Sequence, residues 1–238
     1  MSLEREFVSR HTRDAAAIRG KNVLPQRTLG PRVLVFFGSK PNDFALAGEP
    51  IPRSTPFDQI HAEMLKIARP NVDKVSAWHG AIPMSHPGVG NPLLPNAMKT
   101  DKGIDHALND IVGNEAKLMK VIVYGYSLGG TDALELSRRM NGLSKLRIHL
   151  MVTVDAAVPF SSDLVNRRLG SLVVKNLNFF QLHKHNITGS RGDSNKGNAT
   201  NMDRTAVYNG RESEGHILIH RDTVQEAIAA IRTEFFTL

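Results

Sequence analysis

The chain contains no cysteine. That one absence excludes disulfide scaffolds, thiolate zinc sites and cysteine nucleophiles, and it leaves the redox compartment open. Long apolar runs are missing as well: no segment approaches the roughly 18 apolar residues of a membrane-spanning helix. The N-terminal stretch MSLEREFVSRHTRDAAAIRG is charged throughout and lacks the apolar core of a signal peptide. The expectation is a soluble protein with no transmembrane segment, cytoplasmic by default. Leaderless secretion, or a signal peptide already removed, would leave the same pattern. Positive charge is present but not concentrated. Lys and Arg number 30 against 23 Asp and Glu, a net +7, yet Arg138, Arg167, Lys184, Lys196 and Arg211 are scattered and not interleaved with aromatics. Such a field favours anionic partners, phospholipid surfaces or phosphorylated substrates among them. No nucleic-acid partner is expected from net charge alone.

What is there suits one α/β domain. A chain of 238 residues can bury a sizeable core without a disulfide or a metal. Short β-branched apolar runs read as buried parallel strands: Arg32 to Phe37, Val72 to Trp78, Lys120 to Tyr124, Ile148 to Val154 and Leu172 to Val174. Helical patterns alternate with them. Thr55 and Pro56 open one in which Phe57, Ile60, Met64 and Ile67 share a face, and Ile104, Leu108, Ile111 and Val112 repeat the pattern. Near the C-terminus Asp222 and Gln225 resemble a capping box ahead of the stripe Val224, Ile228, Ile231 and Phe235. This alternation predicts a mostly parallel central sheet with helices on both faces, a three-layer α/β/α sandwich. The domain spans 1–238, with 1–30 as an N-terminal extension. Two stretches break the rhythm, 82–103 (rich in Pro and Gly, with Met84, Leu93, Leu94 and Met98) and the polar 183–215. Structureless segments of that length bind something or cover a site.

The sharpest signal is Gly125-Tyr126-Ser127-Leu128-Gly129. The pentapeptide alone is weak, but here it directly follows an apolar strand and directly precedes a helical pattern. A serine on such a strand-to-helix turn projects its hydroxyl above the sheet. Bulky side chains two residues to either side would collide with the turn, which gives Gly125 and Gly129 a mechanical reason. The following helix, ending at Asn141-Gly142, would aim its positive N-terminal end at an oxyanion forming beside Ser127.

Gly125 to Gly130 after its strand resembles the nucleophile elbow of the α/β-hydrolase superfamily, and of its small lipase, cutinase and esterase members in particular. The resemblance implies a reduced α/β-hydrolase fold and partners in the chain order Ser, Asp/Glu, His. Asp155 ends the strand next to the nucleophile's, where a carboxylate can orient an imidazole. The sequence Val154-Asp155 with Pro159-Phe160 resembles lipases that carry their acid one strand earlier than most of the superfamily. Asp163, Asp193 and Asp203 are reserve acids. The histidine should come from a loop before the last helix, where His216 is preferred to His220. The resemblance assigns one oxyanion donor to the N–H of Leu128 and a second to the loop after the first strand, at Gly38 or Ser39.

Other motifs weigh less. His183 and His185 lack a third ligand at matched spacing, so no metal site is expected. Arg191-Gly192-Asp193 is a chance tripeptide in a polar loop, His79 reads as a loop histidine, and Asn176 to Gln181 resembles a late strand end. The functional expectation is hydrolysis of carboxylic esters through an acyl-enzyme by a lipase, phospholipase or esterase, with no cofactor and with an ester or lipid substrate, anionic or neutral. A thioesterase or acyltransferase would use the same three residues. A non-catalytic binding module on the same fold is the alternative from another class.

Overall fold

A computed structural model describes residues 32–37, 59, 60, 63, 102–113, 115, 120–158, 162–185 and 189–237. The elements in chain order are β1 (Arg32–Phe37), α1 (Lys102–Gly113), β2 (Lys120–Tyr126), α2 (Leu128–Met140), β3 (Ile148–Val154), β4 (Asn176–Phe180), β5 (Ala199–Asp203), α3 (Gly215–Asp222) and α4 (Val224–Phe236). The strands form one five-stranded sheet in the order β1-β2-β3-β4-β5, every pair parallel. The class is α/β. No helix among the described residues is long and apolar enough to cross a membrane.

All seven residues of β2 are buried, as a strand covered on both faces requires. On one face Val121 and Val123 join Ala107, Leu108 and Ile111 of α1 and Ala133, Leu134 and Leu136 of α2. The other face is covered by the helices after the last strand and by Ile60, from the connection between β1 and β2. Ile122, Tyr124 and Tyr126 join Leu150, Val152 and Val154 against Ile219 of α3 and Val224, Ala227, Ile228, Ile231 and Phe235 of α4. Ile231 and Phe235 are fully buried, worth about 2 kcal/mol each. Lys120 fastens the same helix to the start of β2, its Nζ lying 2.9 Å from Glu234 O and 3.0 Å from Glu234 Oε1.

Strand β3 does not alternate cleanly. Its register against β2 slips between Val121 and Ile122, where Ile148 and Leu150 are the partners and His149 is passed over. The extra residue is a bulge, and it lets both Ile148 and Met151 face the α2 side. The Val121 N–H donates to His149 Nδ1 across 3.4 Å at this point.

The strand expected at Leu172 to Val174 lies elsewhere. Leu172 is in a turn and Val173 makes only an isolated bridge with Ile148, because the preceding Gly170 is pressed onto the Ser137 carbonyl of α2. The strand is Asn176–Phe180, whose alternate asparagines hide it from an apolar-run reading. The segment 183–215 is not a continuous loop either: it carries β5 and a 3-10 turn, Thr205–Tyr208, and its last residue opens α3. The strands Val72 to Trp78, the segment 82–101, and most of the Thr55 to Ile67 helix lie outside the described residues, although Gln59, Ile60 and Glu63 are helical. Residues 102 and 103, assigned to the first long loop, belong to α1. The Asp222 capping box does not form. Thr223 links α3 to α4, its Oγ1 donating to Ile219 O at 2.7 Å.

Among the described residues no helix connects β4 to β5. The loop 189–198 runs there instead, and its buried residues Ser190, Gly192 and Asn195 must find partners for their polar groups. Asparagines supply them. Asn195 Nδ2 donates to Thr153 Oγ1 and Asn176 Oδ1, Asn178 Nδ2 to Asp193 O and Asn201 Oδ1, and Asn201 Nδ2 to Asn195 O, all within 2.8–3.0 Å.

Candidate active site

The site lies at the carboxyl ends of adjacent parallel strands. Tyr126 of β2 pairs with Val154 of β3, so the next residues, Ser127 and Asp155, stand level. Both have positive φ, 54° and 43°, and they are the only non-glycine residues with positive φ among those described. Such angles cost about 1–3 kcal/mol each and persist only where the surroundings impose them. Ladder bonds impose them here: Ser127 N–H donates to Val154 O at 3.0 Å and Asp155 N–H to Phe179 O at 2.7 Å. The Ser127 carbonyl accepts from Gly130 N–H at 2.9 Å and Ala157 N–H at 3.1 Å.

The glycines around the serine are there for space. A Cβ on Gly125 would run into the Gly129 carbonyl, and one on Gly130 would stand 2.7 Å from Ala156 Cβ. The sequence reading gave a reason for the first of these and none for Gly130, whose neighbour comes from the next strand's exit.

His216 closes the arrangement from α3. Its Nε2 lies 2.9 Å from Ser127 Oγ and its Nδ1 lies 2.6 Å from Asp155 Oδ2. The expected loop position is corrected: His216 is the second residue of α3, so a helical turn holds its backbone. Tyr126 fixes it further, its O–H donating to the His216 carbonyl at 2.9 Å while the two rings stack at 5.5 Å. Asp155 is fully buried and accepts two more N–H bonds, from Gln181 N to Oδ1 at 3.0 Å and from Gln181 Nε2 to Oδ2 at 2.9 Å. With both oxygens already accepting from Gln181, the Asp155 carboxylate is placed to accept from an Nδ1–H as well, the tautomer in which Nε2 accepts from the Ser127 hydroxyl.

His220 does not touch Ser127. It is buried, with its ring stacked on Tyr126 at 3.8 Å and on Tyr124 at 6.2 Å. Burial, and secondarily the charge of a protonated His216, push its pKa down to about 3. The reserve acids are engaged elsewhere. Asp163 pairs with Arg191, Asp193 Oδ1 accepts the Ser194 N–H at 2.7 Å, and Asp203 Oδ1 accepts the Thr205 N–H at 2.8 Å. Of the oxyanion candidates, Leu128 opens α2, where its N–H has no acceptor within the helix. Gly38 and Ser39 lie outside the described residues, as does His79.

The lighter motifs find local roles. His183 Nε2 is 3.1 Å from Thr205 O, and the His185 ring lies edge-on to His216 at 6.4 Å. No group of three or more His, Asp or Glu with the arrangement of a metal site occurs among the described residues. Arg191-Gly192-Asp193 is not a free surface tripeptide: Arg191 pairs with Asp163, and Gly192 is buried against Asp155. Gln181 and Gly192 are the residues that sequence reasoning missed. Gln181 directly follows the asparagine-rich β4 and Gly192 sits in the tripeptide dismissed as chance, so neither pattern points to a contact with Asp155. No protein-family model matches the sequence, and comparison with curated proteins gives no match.

Proposed function

We propose that the chain is a serine hydrolase of the α/β-hydrolase type, with a reduced three-layer fold, that cleaves carboxylic esters through an acyl-enzyme. The observation that carries this reading is the continuous path Asp155 Oδ2, His216 Nδ1, His216 Nε2, Ser127 Oγ, with separations of 2.6 and 2.9 Å. In the proposed reaction His216 Nε2 takes the Ser127 proton as Oγ attacks the ester carbonyl. Asp155 holds the tautomer and balances the imidazolium. The proton then passes from Nε2 to the leaving alkoxide, and water activated by the same nitrogen releases the acid and restores the serine. The Leu128 N–H, at the positive end of α2, faces the developing oxyanion.

The substrate side favours an ester with an apolar acyl part. Ile217 beside His216, Leu182 beyond β4 and Val207 beyond β5 are all exposed, on the segments that leave the carboxyl ends of the sheet. The net charge of +7 suits an anionic ester or lipid.

Labelling with a fluorophosphonate, followed by peptide mapping, tests the reading. Modification of Ser127 that disappears in Ser127→Ala and slows at least a hundredfold in His216→Ala supports it. A folded protein whose Ser127 is unlabelled, or labelled equally fast in His216→Ala, overturns it. Ester chains of increasing length then assign the acyl preference, and hydrolysis confined to the shortest chains would rule out the lipid substrate.

A further inference from the structure

We infer that Gln181 is a positioning residue for Ser127 chemistry: it clamps both oxygens of Asp155 and, among the described residues, leaves His216 as the one ionisable group bonded to the carboxylate. The inference rests on the hydrolase reading for its consequence, and on geometry for its cause.

The Asp155 carboxylate has no exposure. A buried charge needs hydrogen bonds or a counter-charge. An arginine or lysine in contact would supply both, but it would also weaken the attraction between the carboxylate and a protonated imidazole. Among the described residues His216 is the only ion-pair partner of Asp155. The buried cation Arg167, whose charge also acts on Asp155, donates its Nη2 to the Ala156 carbonyl at 3.0 Å and not to the carboxylate. The two remaining donors belong to one uncharged residue, Gln181, whose main-chain N–H binds Oδ1 and whose side chain binds Oδ2. Neutral dipoles solvate the charge without cancelling it.

Two donors from one residue also fix an angle. With Oδ1 and Oδ2 each held, the carboxylate plane cannot rotate about its Cβ–Cγ bond, and the remaining lone pair of Oδ2 stays aimed at His216 Nδ1. The sheet provides the alignment: Val154 pairs with Phe179, so Asp155 leaves β3 beside the end of β4, which Gln181 directly follows. The amide has one workable orientation. Its Oε1 has no hydrogen-bond partner among the described residues, and a Cβ on Gly215 would lie 3.1 Å from it. Turned round, the amide would set Oε1 against the carboxylate. A buried acceptor left unpaired is costly, and it is tolerated here with the donor end committed to Asp155. The other ionisable groups around the pair are Arg167, Tyr208, His185 and His220, and none of them donates to either carboxylate oxygen.

Gln181→Met and Gln181→Glu test the inference, with thermal melting to establish that each variant folds. The readouts are the pH dependence of fluorophosphonate labelling at Ser127 and the NMR resonance of the His216 Nδ1 proton. Gln181→Met removes one charge-assisted bond and should slow labelling about 10- to 100-fold, while the Nδ1 proton loses its downfield position. Gln181→Glu should label near the wild-type rate while its carboxyl is protonated and donates to Oδ2. The rate should then fall as that carboxyl ionises, an extra ionisation absent from the wild-type profile. A folded Gln181→Met with the wild-type labelling rate and an unmoved Nδ1 resonance overturns the inference. So does a Gln181→Glu profile superimposable on wild type. If wild-type Ser127 does not label at all, the hydrolase reading falls, and the Nδ1 resonance alone decides for or against the clamp.

Discussion

Gly192 lies directly against Asp155: a Cβ at position 192 would overlap the carboxylate Oδ1 and stand 2.8 Å from Phe180 Cβ. The loop backbone thus closes the side of the carboxylate that Gln181 leaves open. Gly192→Ala is expected to displace either the loop or the carboxylate, slowing Ser127 labelling about 10- to 100-fold, as for loss of one bond to a charge. Gly142, where an added Cβ meets nothing within 4 Å, gives the control. Equal labelling rates in Gly192→Ala and Gly142→Ala would show that the close approach has no consequence for the site.

Ser127 holds φ 54° and ψ −121°, a conformation that costs a residue with a Cβ and suits glycine. Ser127→Gly should therefore stabilise the fold by about 1 kcal/mol in urea titration, whereas Ser127→Ala, which keeps the Cβ, should not. Both lose labelling. Equal stability in the two variants would mean that the backbone is not strained at this residue.

The second glycine of the elbow helix has a partner that can be tested by compensation. Gly130→Ala would bring two Cβ atoms to 2.7 Å and should destabilise by about 1–3 kcal/mol. Trimming Ala156→Gly in the same chain removes the Cβ contact and leaves the one with Ala156 Cα at 2.8 Å, so it should recover part of that loss. Additive losses in the double variant would exclude the Cβ–Cβ contact as a cause.

His220 sets a pH dependence of stability. The folded chain keeps its imidazole neutral down to about pH 3, against an ordinary value of 6.5 in the unfolded chain. Between those limits the unfolded chain binds the extra proton. The stability is complete above 6.5 and declines as pH falls through the window, by about 1.4 kcal/mol per unit at most. His220→Leu should flatten the slope of unfolding free energy against pH by up to one proton in that range. An unchanged slope would show that His220 titrates normally in the fold.

The parts of this molecule legible in the sequence are those where one physical signal dominates. An apolar run ending in Gly125-Tyr126-Ser127 located β2 and the elbow. Spacing of Val224, Ile228, Ile231 and Phe235 located α4, with all four buried. Ser127, named from local pattern, and Asp155 and His216, named from the order the resemblance implies, lie within hydrogen-bonding reach of one another through His216. Strand β4 is legible only through the likeness of Asn176 to Gln181 to a late strand end, and β5 not at all, because Asn176, Asn178 and Asn201 hydrogen-bond to a loop where an apolar run would pack on a helix. Gln181 and Gly192 escaped for a different reason. Each matters through one contact with Asp155, and no residue beside them in the chain announces that contact.

The separation in sequence between Ser127 and the base that faces it is 89 residues, and between Asp155 and that base it is 61. Strands β2 and β3 can pair, and set Ser127 level with Asp155, before α3 and α4 have been made. Closing the longer loops comes at greater entropic cost and later on the folding path. On the proposed function, a growing chain would thus carry an inert serine until α3 and α4 dock, and labelling of Ser127 would report completed folding and not sheet formation.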